Sequence, residues 1–185
     1  MVRIATTLVL LVCSCFLSCV TLRAQTARPP GRVGVEVAAG PAFEVATAGD
    51  RASQRAVLGI PTLSIRVASW FEYTLEGHLS RHVTPVSGNV FGVVPLAFRV
   101  RTGTETQVYL SAGAGLVWTD LAGLHGVEQR RNFITQIGTG VAWVGANGSG
   151  VSVEARFFHL SNLHAAPPNL GMEMFAVLVG YRLPR

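Results

Sequence analysis

Residues 71–82 read FEYTLEGHLSRH, and apolar and polar side chains take turns along this stretch. Phe71, Tyr73, Leu75, Gly77 and Leu79 fall on one side, and Glu72, Thr74, Glu76, His78, Ser80 and His82 on the other. A repeat of two is the repeat of a β-strand, whose successive side chains point to opposite faces. A helix would scatter both classes around its axis. Residues 107–119, QVYLSAGAGLVWT, do the same. Val108, Leu110, Ala112, Ala114, Leu116 and Trp118 share one face, and Gln107, Tyr109, Ser111, Gly113, Gly115 and Val117 the other. The small residues of the second set suit the crowded interior of a narrow barrel.

The N-terminus says where such strands would work. The chain of 185 residues opens MVRIATTLVLLVCSCFLSCVTLRAQ. An early Arg, a long apolar run and a small-residue segment are the order of a secretory signal peptide. It is expected to span residues 1–24, with the cut after Ala24. Cys19 follows Phe16-Leu17-Ser18, a poor lipoprotein signal. All three cysteines (Cys13, Cys15 and Cys19) fall in this leader, so a mature domain of residues 25–185 has neither disulfides nor Cys-metal sites. The 15 basic residues are all Arg, and without Arg3 and Arg23 they stand 13 against 10 acidic, net +3. That charge is too small and too scattered to suggest a nucleic-acid partner.

Beyond the leader no apolar run is long enough to cross a bilayer as a helix, yet the chain is 49% hydrophobic and only 14% charged. In lipid every backbone polar group needs a partner within the protein, which leaves the closed barrel as the strand-built solution. The expected fold is therefore all-β, an eight-stranded antiparallel transmembrane β-barrel of the outer membrane. The strands are expected near 32–44, 54–69, 70–82, 88–101, 106–119, 131–146, 150–162 and 171–183. Short joins are expected near 69–70, RTGTET and NGSG, and longer ones near 45–53, 83–87, 120–130 and 163–170. Short turns belong on the periplasmic side and longer loops outside, so odd strands run outward. Trp70, Trp118, Trp143 and Tyr181 close the apolar stripes as interfacial girdles do. Barrels of this class usually end on an aromatic residue, whereas this chain ends GYRLPR.

The tripeptide His-Leu-Ser occurs twice, at residues 78–80 and 159–161. The first copy lies on the polar face with Glu72, Glu76 and His82, where a polar lumen accounts for it. Alternating His and Glu on one strand is not a specific metal signature. The second copy prolongs the opposite stripe, with Val151, Val153, Ala155 and Phe157 leading to His159 and Ser161. Glu173 likewise shares a face with Phe175, Val177, Val179 and Tyr181. Hairpin pairing sets residue 159 opposite about 173 or 175, so a serine, a histidine and an acid converge on the lipid side at the outer rim. Ionisable groups facing lipid are costly and are functional candidates for that reason. The three residue types suit nucleophilic catalysis: Ser161 as nucleophile, His159 as base, Glu173 orienting the imidazole, with the Asn162 amide offered to the oxyanion. On the residues alone, an ordinary polar rim and loop is the standing alternative.

The segment His159, Ser161, Asn162, then Pro168-Asn169-Leu170-Gly171 and Glu173 resembles the lipid A 3-O-deacylase (PagL-type) family, whose pattern is His-x-Ser-Asn followed by Glu. Ser161 and Glu173 stand twelve apart, as that pattern has them. The likeness is concentrated in residues 156–182. It implies an eight-stranded outer-membrane barrel with a Ser-His-Glu triad facing the outer leaflet. It further implies hydrolysis of the acyl ester at position 3 of lipid A, with no metal and no cofactor. Lipid A or lipopolysaccharide is then the substrate and the outer membrane the setting, with a homodimer as an open assembly. Family members follow Ser-Asn with Ala-Gly, whereas this chain has Leu163-His164, which would reshape an oxyanion hole built there. His164 is a candidate for contact with phosphate headgroups. A non-enzymatic small barrel, and a phospholipid esterase on the same scaffold, are the rival readings.

Overall fold

The alternating stretches become strands, and the strands close on themselves. The computed structural model describes residues 32–46, 53–121, 124, 127, 129–163 and 170–184. The expected leader, its three cysteines and His164 lie outside them. Eight strands follow in order: β1 (Val33–Ala46), β2 (Arg55–Arg66), β3 (Phe71–Thr84), β4 (Gly88–Thr102), β5 (Thr106–Thr119), β6 (Arg131–Val144), β7 (Gly150–Ser161) and β8 (Met172–Arg182). Each pairs antiparallel with its neighbours, and β1 pairs with β8, so the sheet has no free edge. At 11 to 15 residues, each strand meets or exceeds the ~9–11 that a tilted crossing needs.

The two ends of the barrel differ. At one end the strands join through 67–70, 103–105 and 145–149. At the other, residues 47–54, 120–130 and 162–171 make long connections, and 85–87 a short one. We call these the turn end and the loop end. The expected long join at 83–87 is thus a tight one of three residues, because β3 keeps its pairing as far as Thr84, opposite Arg55.

Burial alternates as the sequence does. On β2, Arg55, Val57, Leu63 and Ile65 face out, while Ala56, Leu58, Ile60, Thr62, Ser64 and Arg66 are buried in the lumen. The exterior is apolar almost all round, with Leu96 71%, Val179 63%, Val57 57% and Trp70 56% exposed. Water would not tolerate so continuous an apolar belt, and a bilayer is the solvent that matches it. Trp70, Trp143 and Tyr181 ring the turn end, and Trp118 stands near the loop end, stacked on Phe91 with centroids 6.1 Å apart. In β4 the register slips between Val93 and Leu96, a bulge that holds Pro95. Proline cannot donate to a ladder, so a bulge is where a strand accommodates it. Past the bulge the inward set changes from Val90 and Val94 to Ala97, Arg99 and Arg101.

The lumen is packed in two layers. Toward the turn end it is ionic. Arg99 Nη1 donates to Glu36 Oε2 at 3.0 Å, and Arg101 Nη2 donates to Glu72 Oε1 at 3.1 Å. Arg182 Nη2 bridges Glu36 and Glu72, at 3.1 Å from each. In mid-barrel, Arg156 donates to Glu76 Oε2 at 2.6 Å and Glu154 Oε1 at 2.8 Å, and Tyr109 Oη donates to Glu154 Oε2 at 3.0 Å. Toward the loop end the filling turns apolar: Leu58, Val90, Val117, Leu121, Leu124, Ile134, Phe158, Leu160, Met172 and Met174 form one buried cluster. The expectation of a polar lumen therefore holds for only part of its length. His78 lies near the boundary, its ring edge-on to Phe158 at 5.1 Å.

Candidate active site

The residues singled out by sequence sit where β7 and β8 meet the loop end. Odd-numbered residues of β7 face outward: Val151 and Val153 are exposed, Ala155, Phe157 and His159 half-exposed. Even-numbered Ser152, Glu154, Arg156, Phe158 and Leu160 are buried inside. His159 is therefore on the exterior. Directly across the ladder from it stands Glu173. The imidazole presents Nδ1 to the carboxylate, with Nδ1 3.9 Å from Oε1. That separation is an ion-pair distance and is longer than a hydrogen bond. The two side chains are 35% and 44% exposed, so both remain open to what surrounds the barrel. The sequence expectation of a cross-strand pair at 159 and 173 matches this register.

Ser161 is the last residue of β7, on the same side as His159 by strand alternation and two residues beyond it. Two steps of a strand are ~6.6 Å between Cα atoms, a span that side chains of this size can bridge. Phe133 of β6 is its ladder partner. Ser161 is only 6% exposed and Asn162 only 2%, so neither stands on the open surface that the sequence suggested. Both belong to the enclosed corner where the strand gives way to the connection. Immediately after them Leu163 takes a left-handed backbone, φ +52°, and is 60% exposed. A bulky residue with positive φ is a marked outlier, and such strain gathers at functional sites. The chain thus makes its turn away from Ser161 on a leucine.

A further residue of the site, Gly171, stood in the motif without a role. Its φ is +67°, a region that glycine enters without penalty. A β-carbon at Gly171 would lie 2.7 Å from Cε1 of His159 and 3.3 Å from Nε2. The glycine backbone therefore packs flat against the imidazole edge that Glu173 leaves free. No periodicity signals that contact, since it depends on how β8 re-enters the ladder.

Below the polar pair lies an aromatic shelf. Phe157 and Phe175 are ladder partners, and Phe43 of β1 packs on Phe175 with centroids 5.5 Å apart. Phe133 and Ile137 flank the site on β6, 41% and 51% exposed. The control tripeptide is placed differently: His78 and Ser80 point into the lumen, 1% and 6% exposed.

Comparison with known proteins sets this geometry in a family. Residues 53–182 match the family model described as lipid A 3-O-deacylase (PagL). No curated protein sequence matches the chain. Among solved structures, the barrel is similar to the outer membrane enzyme PagL: 21% identity, 82% of this chain and 99% of that one covered, TM-score 0.56. It is also similar to Neisserial surface protein A (NspA): 14% identity, 85% of this chain and all of that one covered (100%), TM-score 0.65. At such identities these two structures speak for the fold, and the family assignment rests on the sequence match through β2–β8. With that match spanning seven of its eight strands, the chain belongs to the lipid A 3-O-deacylase (PagL) family.

Proposed function

We propose that this protein is a serine esterase of the outer membrane that removes the acyl chain esterified at position 3 of lipid A. The observation that carries the reading is the His159–Glu173 pair, an imidazole and a carboxylate facing each other on the exterior of a family-member barrel. A partner at Nδ1 leaves Nε2 as the nitrogen for a serine hydroxyl, as a triad requires. In this reading Ser161 Oγ attacks the ester carbonyl while His159 Nε2 takes its proton. The oxyanion is met by the Asn162 amide and by backbone N–H groups of the same turn. Collapse expels the sugar alkoxide, which receives the proton from His159. Water, deprotonated by the same imidazole, then releases the fatty acid from Ser161. Glu173 stabilises the imidazolium that forms in both halves.

Lipid reaches this site sideways. The shelf of Phe157, Phe175 and Phe43 gives an acyl chain an apolar surface beside the reacting atoms. The loop end would then face outward, with the site level with the outer leaflet. The exterior matches lipid on every strand and gives no reason to pair two barrels. The test is mass spectrometry of lipid A after incubation with the purified barrel. Loss of one 3-hydroxyacyl chain supports the reading. Intact lipid A alongside hydrolysed phospholipid would turn it to the phospholipid esterase, and no hydrolysis by a folded barrel to a non-enzymatic one.

A further inference from the structure

On the exterior of β1–β4 the apolar belt has a dent, whose charged end on β3 and β4 lies three and four strands around the wall from the β8 of Glu173. Ala39 and Gly59 are ladder partners, so two of the smallest side chains lie next to each other where neighbouring positions carry Val57, Leu79 and Phe91. The result is an open trough of about 370 Å3, within the ~300–1,000 Å3 range of small-molecule clefts. Its walls are apolar and Phe91 is braced by Trp118. The end nearer the loops is different. Arg81, exposed on the lipid side, lines the trough there and donates from Nη1 to Asn89 Oδ1 at 3.2 Å. Asn89 in turn donates its backbone N–H and its side-chain amide to Asp120, one bond to each carboxylate oxygen. Arg55 faces the same way on the adjacent strand, where a bulge after it sets it opposite Thr84, three residues along β3 from Arg81. Both arginines carry long, flexible arms that can extend along the wall toward one phosphate.

Two arginines against one carboxylate, already held by Asn89, leave this corner cationic at the edge of an apolar groove. A solvated surface would not need that combination, whereas an anionic lipid presents its complement: a phosphate joined to an acyl chain. We propose that the trough is a second lipid site, separate from the His159 face, which seats one acyl chain of lipid A with a phosphate on Arg81 and Arg55. Among the described lining residues no nucleophile faces outward, since Ser80 points into the lumen. The lipid is held there and not cleaved.

Gly59 gives the means to test this. A β-carbon there meets only the Leu79 carbonyl oxygen, at 3.8 Å, an ordinary contact. Gly59→Leu therefore fills the trough without disturbing the ladder, and folding is checked by the heat-dependent shift in gel mobility. The measurement is native mass spectrometry of the whole barrel, released from detergent with bis-phosphorylated lipid A as the probe. We expect one retained lipid adduct, lost on Gly59→Leu. Arg81→Gln should lower it about tenfold, the effect of one charge-assisted hydrogen bond. Dephosphorylated lipid A should bind as weakly to the native barrel as the phosphorylated form does to Arg81→Gln. Ser161→Ala should keep the adduct, so this result stands apart from the esterase question. An adduct unchanged in folded Gly59→Leu and Arg81→Gln proteins would overturn the proposal, as would equal retention of phosphorylated and dephosphorylated lipid.

Discussion

His159 and Glu173 are direct ladder partners on adjacent strands, and the imidazole turns Nδ1, not Nε2, toward the carboxylate. The facing of carboxylate and Nδ1 is thereby written into the register of β7 against β8. Any slip by one residue would send one member of the pair into the lumen.

The triad reading has a graded outcome. Ser161→Ala should abolish release of fatty acid from lipid A, and His159→Asn should be nearly as severe, since a serine hydroxyl without a base is a weak nucleophile. Losses of ~10⁴–10⁶ in kcat are usual for such changes, with the acid least affected. Glu173→Ala should accordingly retain more activity than either. All three proteins should fold, because none of these side chains fills the lumen. Activity is followed by mass spectrometry and folding by gel mobility. A folded Ser161→Ala protein with native turnover would remove Ser161 from the mechanism.

Gly171 carries a second prediction. Alanine there would drive its methyl against Cε1 of His159 and would occupy a left-handed backbone, at a cost of ~1–2 kcal/mol. The ring has to move. A displacement of ~1 Å at a reacting group can cost ~10²-fold, so kcat should fall by that order while KM changes little. Steady-state kinetics on dispersed lipid A separates the two. A rise in KM at unchanged kcat would show that Gly171 shapes substrate binding instead.

The repeated tripeptide supplies the control. Ser80 points inward and is 6% exposed, so Ser80→Ala should leave deacylation within about twofold of the native rate. The same assay that reports on Ser161 checks it, and inactivity of a folded Ser80→Ala protein would overturn the assignment of faces.

The ionic layer of the lumen makes a claim about stability. Arg156 holds both Glu76 and Glu154, and all three side chains are at most 3% exposed. Arg156→Ala would leave two buried carboxylates with only neutral donors, Gln136 and Thr74 for one and Tyr109 and Ser111 for the other. Removing one member of a buried pair costs ~3–5 kcal/mol. The expected result is a lower urea midpoint in lipid vesicles, and an unchanged midpoint would mean that solvent compensates the charges.

Much of this architecture was legible because a barrel wall forces one repeat on every strand. Residues 71–82 show the alternation so plainly that the observed β3 differs from the expected strand by one residue at one end and two at the other. The approach of His159 to Glu173 follows from the same repeat plus the antiparallel pairing of consecutive strands. What alternation cannot express is what fills the interior. Val90, Val94 and Val117 face inward, yet nothing in their spacing distinguishes them from lipid-facing valines, and the Pro95 bulge swaps the faces partway along β4. Nor does spacing register enclosure: Ser161 has the exterior parity of His159 but is covered. The contact of Gly171 with the imidazole is set by a single φ angle, which no pattern of residue types announces.

The layered filling described above has a physiological meaning. An ion entering from the turn end would meet the fixed arginines and glutamates, and then a plug of Leu58, Val90, Phe158 and Met174, each at most 1% exposed. Among the described residues both layers are tightly buried, and the apolar one would strip an ion of hydration without replacing it. In a planar bilayer the protein should therefore be electrically silent, and a cell could carry many copies without becoming leaky to salts or small antibiotics.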